Sequence, residues 1–369
     1  MMVFLFVLAG IMATAPLCSN KKLVIGNKKY TGTQVYMLFW GIVLVTLVAL
    51  RSFEIGNDTK MYQYIFNSYS KSNSFSSWIE DNWYTSGTEL GFYFLGYIVS
   101  SFVDFRFFLI LMSFVSVVPF IFVIHKYSDN KPLSLFLYVT FAYYTFSMSG
   151  LRQAAAMGLI MIAYHFMREK KIWKYLLFCG VAFSFHTTAL LFIPMYWIGK
   201  VPNNKVTIFL ALFGAAAAYL LRGYIWNLAL LFSRQQYEVV ESGGTLMYFF
   251  MLATVILGIY YYKAFIGNSR KYVKDLSTVA LDNRDLFYLQ VLALMICPIA
   301  SVNPAISRVY FYYHMFVLLY YPKLLKVIPK KVEKIMVYSF VFIMALGFFF
   351  TKVCDPIQKY VPYYFMWQR

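Results

Sequence analysis

Long apolar runs recur along the chain from Met2 to Thr351, and they constrain its fold more than any other feature. Most hold roughly 15 to 20 residues, about the length of helix that crosses a hydrocarbon core of about 30 Å. Backbone polar groups find no water in lipid, so membrane-crossing segments are either helices or strands of a closed barrel. Strict apolar/polar alternation is absent, and each run is longer than a barrel strand needs. The sequence therefore predicts an all-α fold, a polytopic membrane helical bundle.

We expect about 12–13 apolar helical segments, counting short or re-entrant ones. No repeat period and no low-complexity linker interrupts them, so residues 1–369 are predicted to form a single integral-membrane domain with an extracytoplasmic loop at about 51–88. The predicted segments cover residues 2–17, 34–50, 89–103, 106–124, 132–148, 152–167, 172–185, 187–199, 206–222, 246–263, 285–302, 308–322 and 335–351.

The composition excludes two large classes of protein. Hydrophobic residues make up 61% of the chain and charged residues only 13%, which is not the composition of a soluble enzyme or a nucleic-acid-binding module. The net charge of +18 comes from Lys and Arg in short tracts between apolar runs, as expected for loops on the cytoplasmic side. The four cysteines stand far apart without ligand spacing, so no metal and no cofactor is expected.

The basic tracts also predict the topology. Tracts such as Lys21–Lys29 and Lys323–Lys334 are placed inside, which puts both termini outside the cytoplasm. The basic stretch 125–131 is also predicted to be cytoplasmic, like the tract Lys21–Lys29. Two stretches on the same side need an even number of crossings between them, but the predicted segments give three. Either segment 89–103, which opens with Glu89, is re-entrant, or one predicted boundary is misplaced.

Two arginines begin apolar segments on the predicted extracytoplasmic face. Arg152 is followed by Gln153, and Arg308 follows Asn303 and Pro304, which can break the span. An arginine at such a position is either a snorkelling interfacial residue or a group that faces a cavity or ligand. Because a planar guanidinium matches phosphate geometry, two arginines on one face favour a diphosphate site.

Other polar residues gather on the same predicted face. Arg51 ends the second segment and is either an interfacial anchor or a binding residue, while Asp58 and Glu89 are candidate carboxylates for a sugar hydroxyl or an arginine. His186 stands between two apolar segments in the sequence FSFHTTAL, where we expect a turn at the far side of the membrane. It is either a structural hydrogen-bonding residue or a base that removes a proton from a hydroxyl group.

Several of these stretches resemble a known family in order along the chain. They include RSFEIGNDTKMYQYIF, TELGFYFL, SRVYFYY, YVPYYF and, most specifically, an Arg-Gln-x-x-Ala element at Arg152 followed by a basic turn and a Phe-His-x-x-Ala-Leu element at His186. This pattern resembles the EpsG-like branch of Wzy-type polysaccharide polymerases over about residues 45 to 365. The family's Gly-x-Asp-x-x-x-Tyr motif is present in full and ends at Tyr62. Its Glu-Pro-Gly-Phe motif appears here as Glu-Leu-Gly-Phe, which begins at Glu89.

The resemblance implies a membrane glycosyltransferase that joins undecaprenyl-diphosphate-linked oligosaccharide repeat units into O-antigen, capsule or exopolysaccharide. It implies a location in the bacterial cytoplasmic membrane with the site facing the periplasm or cell exterior. The expected partners are the lipid-linked donor and acceptor, membrane lipids, and a chain-length regulator and flippase of the same pathway, with no nucleic acid. A membrane O-acyltransferase of glycans and a flippase or transporter of the lipid-linked oligosaccharide stay open as alternatives.

The predicted site combines the residues above with the resemblance. The catalytic candidates are His186, Arg152 and Arg308. The substrate-binding candidates are Arg51, Asp58, Tyr62, Glu89, Gln153 and Tyr310.

Overall fold

The computed structural model describes residues 1–25, 28–82, 89–201, 204–231, 245–267, 279–300 and 307–368. Within these ranges the chain is helical almost throughout, and its strands form one antiparallel hairpin, β1 (Lys22–Ile25) and β2 (Lys28–Thr31), in which Lys22 pairs with Thr31. The prediction of an all-α polytopic bundle is confirmed.

The chain divides into two compact units, residues Met1–Leu190 with Ser339–Arg369 and residues Leu191–Tyr338. The two units are groups of residues that pack together, and the single integral-membrane domain over residues 1–369 stays a prediction. The described helices of the first unit are α1 (Met2–Ala13), α2 (Gly32–Ala49), α3 (Thr59–Ser68), α4 (Phe75–Asp81), α5 (Leu90–Ser100), α6 (Phe105–Tyr127), α7 (Lys131–Thr140), α8 (Tyr143–Phe146), α9 (Leu151–Arg168) and α10 (Ile172–Phe185).

A 3₁₀ helix, Thr187–Lys200, follows α10 and leads into the second unit. The remaining described helices are α11 (Lys205–Leu220), α12 (Arg222–Leu231), α13 (Thr245–Tyr260), α14 (Val279–Ala300), α15 (Ser307–His314), α16 (Val317–Val327) and α17 (Lys331–Val353). In the second unit, α14 packs against α11, α13 and α15. The predicted chain break at Asn303 and Pro304 lies outside the described residues.

Three of the described helices, α2, α6 and α17, are long and apolar enough to cross a membrane. A fourth crossing results if Val206–Leu220 and Arg222–Leu228, which meet at a bend of 77°, count as one span. Several predicted segments are shorter or broken. Segment 132–148 becomes α7 and α8 because Ala142 adopts a left-handed backbone with φ of 64°. The described helices therefore include both long apolar helices and shorter ones, as the predicted segments, which count short or re-entrant ones, allow.

Close helix contacts fix the elements that carry polar residues in the first unit. The helix α9 packs against α10 and α6, and a Cβ atom on Gly158 would lie 2.2 Å from the carbonyl oxygen of Val115 in α6. A Cβ atom on Gly91 would lie 2.1 Å from Oγ of Ser184 in α10. Only glycine permits these approaches, because it has no Cβ atom. The two glycines therefore allow α9 to lie against α6 and the start of α5 to lie against the end of α10.

Candidate functional site

The carboxylate of Glu89 joins side chains at the ends of three helices of the first unit. Glu89 immediately precedes α5 and is 7% exposed. Its Oε1 accepts hydrogen bonds from Nδ1 of His186 and, at 3.3 Å, from the backbone N–H of Thr187. Its Oε2 forms an ion pair with Nη1 of Arg152. Residues 63 and 97 positions away in the sequence thus meet at one buried carboxylate.

Arg152, in the first turn of α9, is held by two tyrosines as well as by Glu89. Its Nη1 donates to the hydroxyl of Tyr93 at 3.0 Å, and its Nε donates to the hydroxyl of Tyr62 at 3.3 Å. These bonds fix the plane of the guanidinium. Its Nη2 makes no hydrogen bond with the residues that the structure describes. Two N–H donors of Arg152 are therefore available to a ligand.

His186 leaves its helix in a way that turns the imidazole toward Glu89. The helix α10 ends at Phe185, and the backbone of His186 is extended, with φ of −154° and ψ of 120°. The side chain is buried, and its Nε2 has no hydrogen-bond partner among the described residues. Since an ionised carboxylate only accepts hydrogen bonds, Nδ1 carries a proton. In the neutral imidazole, Nε2 then holds the lone pair.

This arrangement, which we call the Glu89 cluster (Glu89, Arg152, His186, Tyr62 and Tyr93), combines two chemical capacities. A carboxylate that holds an imidazole in one tautomer leaves the opposite nitrogen as a proton acceptor. A guanidinium with free N–H groups stabilises negative charge on a phosphate or on a leaving oxygen. The cluster can therefore remove a proton and stabilise a developing anion at adjacent positions.

Three other predicted residues of the first unit lie outside this network. Arg51 follows α2, is fully buried and donates from Nη1 to the carbonyl of Val48 at 2.5 Å. Asp58 precedes α3 and is half-buried. Gln153 lies in α9 next to Arg152 and is 2% exposed. Their predicted contacts with substrate stay predictions.

The two remaining candidates lie in the second unit. Arg308 and Tyr310 both belong to α15, where Arg308 is exposed and Tyr310 is buried. The prediction that Arg308 shares a diphosphate site with Arg152 stays a prediction.

Sequence reasoning missed Tyr93 of the Glu89 cluster and the backbone N–H of Thr187, which donates to Glu89. Tyr93 stands four residues after Glu89, at the spacing that places two residues on the same side of a helix. That spacing was the available signal. No sequence signal identifies the N–H of Thr187, because it depends on how the chain leaves α10.

The described apolar helices and the buried Glu89 cluster define a class, multi-pass helical membrane proteins with an ionisable site inside the bundle. The chain matches the EpsG family over residues 34–365 and belongs to that family, which is a family of Wzy-like polysaccharide polymerases. The family resemblance seen in the sequence is thereby confirmed. Among curated proteins and solved structures, no match to the chain is found.

Proposed function

We propose that the protein is a membrane glycosyltransferase that polymerises undecaprenyl-diphosphate-linked oligosaccharide repeat units into a surface polysaccharide. Membership of the EpsG family supports a polysaccharide polymerase. The observation that carries the proposal is that Glu89 bridges Arg152 and His186 while each of these keeps a nitrogen free. The proposed location is the bacterial cytoplasmic membrane, with the Glu89 cluster on the outer side.

In the proposed reaction, a hydroxyl oxygen of the acceptor repeat unit attacks the anomeric carbon of the donor. The hydroxyl proton passes to Nε2 of His186, and the imidazolium that forms is stabilised by the Glu89 carboxylate at Nδ1. The new glycosidic bond forms as the bond from the anomeric carbon to the diphosphate oxygen breaks. The electron pair of that bond leaves with undecaprenyl diphosphate.

Arg152 is suited to the leaving group. Charge develops on the diphosphate oxygen as the bond breaks, and preorganised donors aimed at developing charge lower the barrier. Tyr62, Tyr93 and Glu89 hold three of the N–H groups of Arg152 in place, so Nη2 presents its donors without a further ordering cost. The donor is already activated by its diphosphate, so the reaction needs no nucleotide.

Deletion of the gene in a polysaccharide-producing host tests the proposal against its rivals. A polymerase predicts loss of the polymer ladder with retention of a single capped repeat unit. Loss of both would instead indicate a flippase, and an intact ladder without acyl groups would indicate an acyltransferase.

Complementation then tests the site. The parental gene and Arg168→Gln, a charge removal at the opposite end of α9, should restore the ladder. His186→Gln at equal protein level should not restore it.

A further inference from the structure

A second arginine of the first unit is buried without a carboxylate. Arg51 is 0% exposed, and its one described hydrogen bond uses Nη1. Its Nε and Nη2 have no partner in the part of the chain that the structure describes. Buried donors of a charged group are unfavourable unless something accepts their hydrogen bonds. The free nitrogens of Arg51 therefore call for an acceptor.

Arg106 places another guanidinium on the backbone of Arg51. It stands in the first turn of α6, which Asp104 caps by accepting from the N–H of Phe107 at 3.1 Å. Nη1 of Arg106 donates to the carbonyl of Arg51 at 2.6 Å, and its guanidinium carbon lies 4.2 Å from the ring centre of Phe53. The side chain is half-exposed, and its Nε and Nη2 make no hydrogen bond with described residues.

Neither arginine forms an ion pair with a described carboxylate, although the charge of Asp104 acts on Arg106 from a greater distance. No Asp or Glu in the described ranges lies within 4.0 Å of either guanidinium, whereas Arg152 is paired with Glu89. Burial and, to a smaller extent, the nearby charge of Arg106 lower the pKa of Arg51 to about 10. The guanidinium of Arg51 is therefore still charged at neutral pH. Two adjacent cations repel each other, and Asp104 offsets this only in part, on the Arg106 side.

The C-terminal segment of the chain covers Arg51 and leaves the Arg106 side exposed. The N–H of Ser52 donates to the carbonyl of Tyr364 at 2.9 Å, and the N–H of Met366 donates to the carbonyl of Leu50 at 2.9 Å. An anion therefore reaches Arg106 first. Contact with Arg51 requires this segment to move aside.

The reaction proposed above involves two lipid diphosphates. One leaves with the donor lipid, and the other stays attached to the acceptor, at the opposite end of the repeat unit from the attacking hydroxyl. We infer that Arg51 and Arg106 bind the diphosphate that the acceptor retains, an inference that rests on the proposed function. Two guanidiniums without an ion-pair partner, each with free N–H groups, match the charge and the oxygens of a polyprenyl diphosphate.

The experiment is a titration of the purified full-length protein in detergent with farnesyl diphosphate, with farnesol as the uncharged control. We expect Arg106→Gln to weaken binding of farnesyl diphosphate by about tenfold or more, because a charge-assisted contact is lost. Arg51→Lys should weaken it similarly, since lysine lacks the fork. Arg168→Gln, which removes the same charge elsewhere in the unit, should bind within about twofold of the parent. Inorganic pyrophosphate should compete.

Unchanged affinity in Arg106→Gln and Arg51→Lys, each with parental thermal unfolding, would overturn the inference, as would absence of binding to the parent. Equal competition by phosphatidylglycerol vesicles would overturn it too, in favour of a general lipid headgroup site. Polymerisation of lipid-linked repeats is assayed in the same preparation. Selective diphosphate binding without polymerisation would reject the proposed function and leave the site, whereas polymerisation without such binding would reject only the site.

Discussion

A glutamate, a histidine and a cation meet at each end of the helix α9, and the two ends differ sharply. At its start, Glu89 is buried with His186 and Arg152. At its end, Glu169 is exposed and accepts from Lys171 at 2.7 Å and from Lys126 at 3.4 Å, with Nε2 of His165 at 3.2 Å. We call these four residues the Glu169 cluster.

The two clusters differ in whether the histidine has a ring nitrogen free to bind another group. Nδ1 of His165 lies 2.6 Å from the hydroxyl of Tyr127, and its Nε2 faces Glu169, so both ring nitrogens are engaged. His186 keeps Nε2 without a described partner. The same residue types thus form a solvated surface cluster in one place and a candidate reaction site in the other. Burial and a free nitrogen make the distinction.

The largest effect is expected from Glu89→Gln. This change leaves the buried charge of Arg152 uncompensated, which typically costs about 3–5 kcal/mol of unfolding free energy. The polymer ladder should be lost, and thermal unfolding in detergent should shift to lower temperature. Glu169→Gln is the matched control and should keep both properties. If Glu89→Gln kept the parental unfolding temperature and polymer ladder, the proposed difference between the two clusters would be wrong.

Next in size is His186→Gln, which should lower the rate of polymerisation by about a hundredfold to ten-thousandfold, as loss of a general base does. Folding should be little affected, since an amide can still donate to Glu89. The measurement is polymerisation of lipid-linked repeats by purified protein across pH, with His165→Gln as the control. A rate close to the parent, with the same pH profile, would show that His186 is structural.

Arg152→Lys should have an intermediate effect. A lysine can pair with Glu89 but cannot also supply Tyr62 and keep a planar fork for the leaving diphosphate. We expect a rate loss of about tenfold to a hundredfold, corresponding to one charge-assisted hydrogen bond. Arg168→Lys, at the other end of the helix, should retain the parental rate. Full activity in Arg152→Lys would exclude the guanidinium geometry as a requirement.

A smaller effect is expected from Tyr93→Phe, which removes one acceptor of Arg152 at 3.0 Å. A single hydrogen bond contributes about 0.5–1.5 kcal/mol, so the rate should fall by only a few-fold. The same assay measures it, and Tyr97→Phe, one turn further along α5, is the control. A loss as large as that of His186→Gln would mean that Tyr93 takes part in the chemistry directly.

The smallest effect concerns pH at the Glu169 cluster. The hydrogen bond from Lys171, together with the charge of His165 and the hydrogen bond from Lys126, lowers the pKa of Glu169 to about 2. Because this lies below the unfolded value of about 4.3, the stabilisation is complete above the unfolded pKa and is lost as the pH falls through the folded one. The difference in unfolding temperature between the parent and Glu169→Gln should be small and constant from about pH 6 to 8.

That difference should also shrink as salt is added, because the cluster is exposed. A difference that grows on acidification toward pH 4 would contradict the assigned sign.

The sequence predicted the helical class well because apolar length and absence of alternation are local properties. It also selected Arg152, His186 and Glu89 individually, each as a polar residue beside an apolar segment. It could not show that one carboxylate joins them, since that depends on close packing among α5, α9 and α10. Arg106 was overlooked because a cation at a helix start is normally an interfacial anchor, and only its hydrogen bond to the carbonyl of Arg51, without an ion-pair partner, distinguishes it.

Gly91 and Gly158 affect how a scan of all single substitutions in this protein would have to be interpreted. Neither carries a functional group, yet a methyl group at either position would press on α10 or α6 and move the helices that carry Glu89, His186 and Arg152. In a scan of all single substitutions, these two positions should therefore score as intolerant as the reacting residues themselves. Activity loss alone would not separate the residues that perform the chemistry from the two that set the distance between helices.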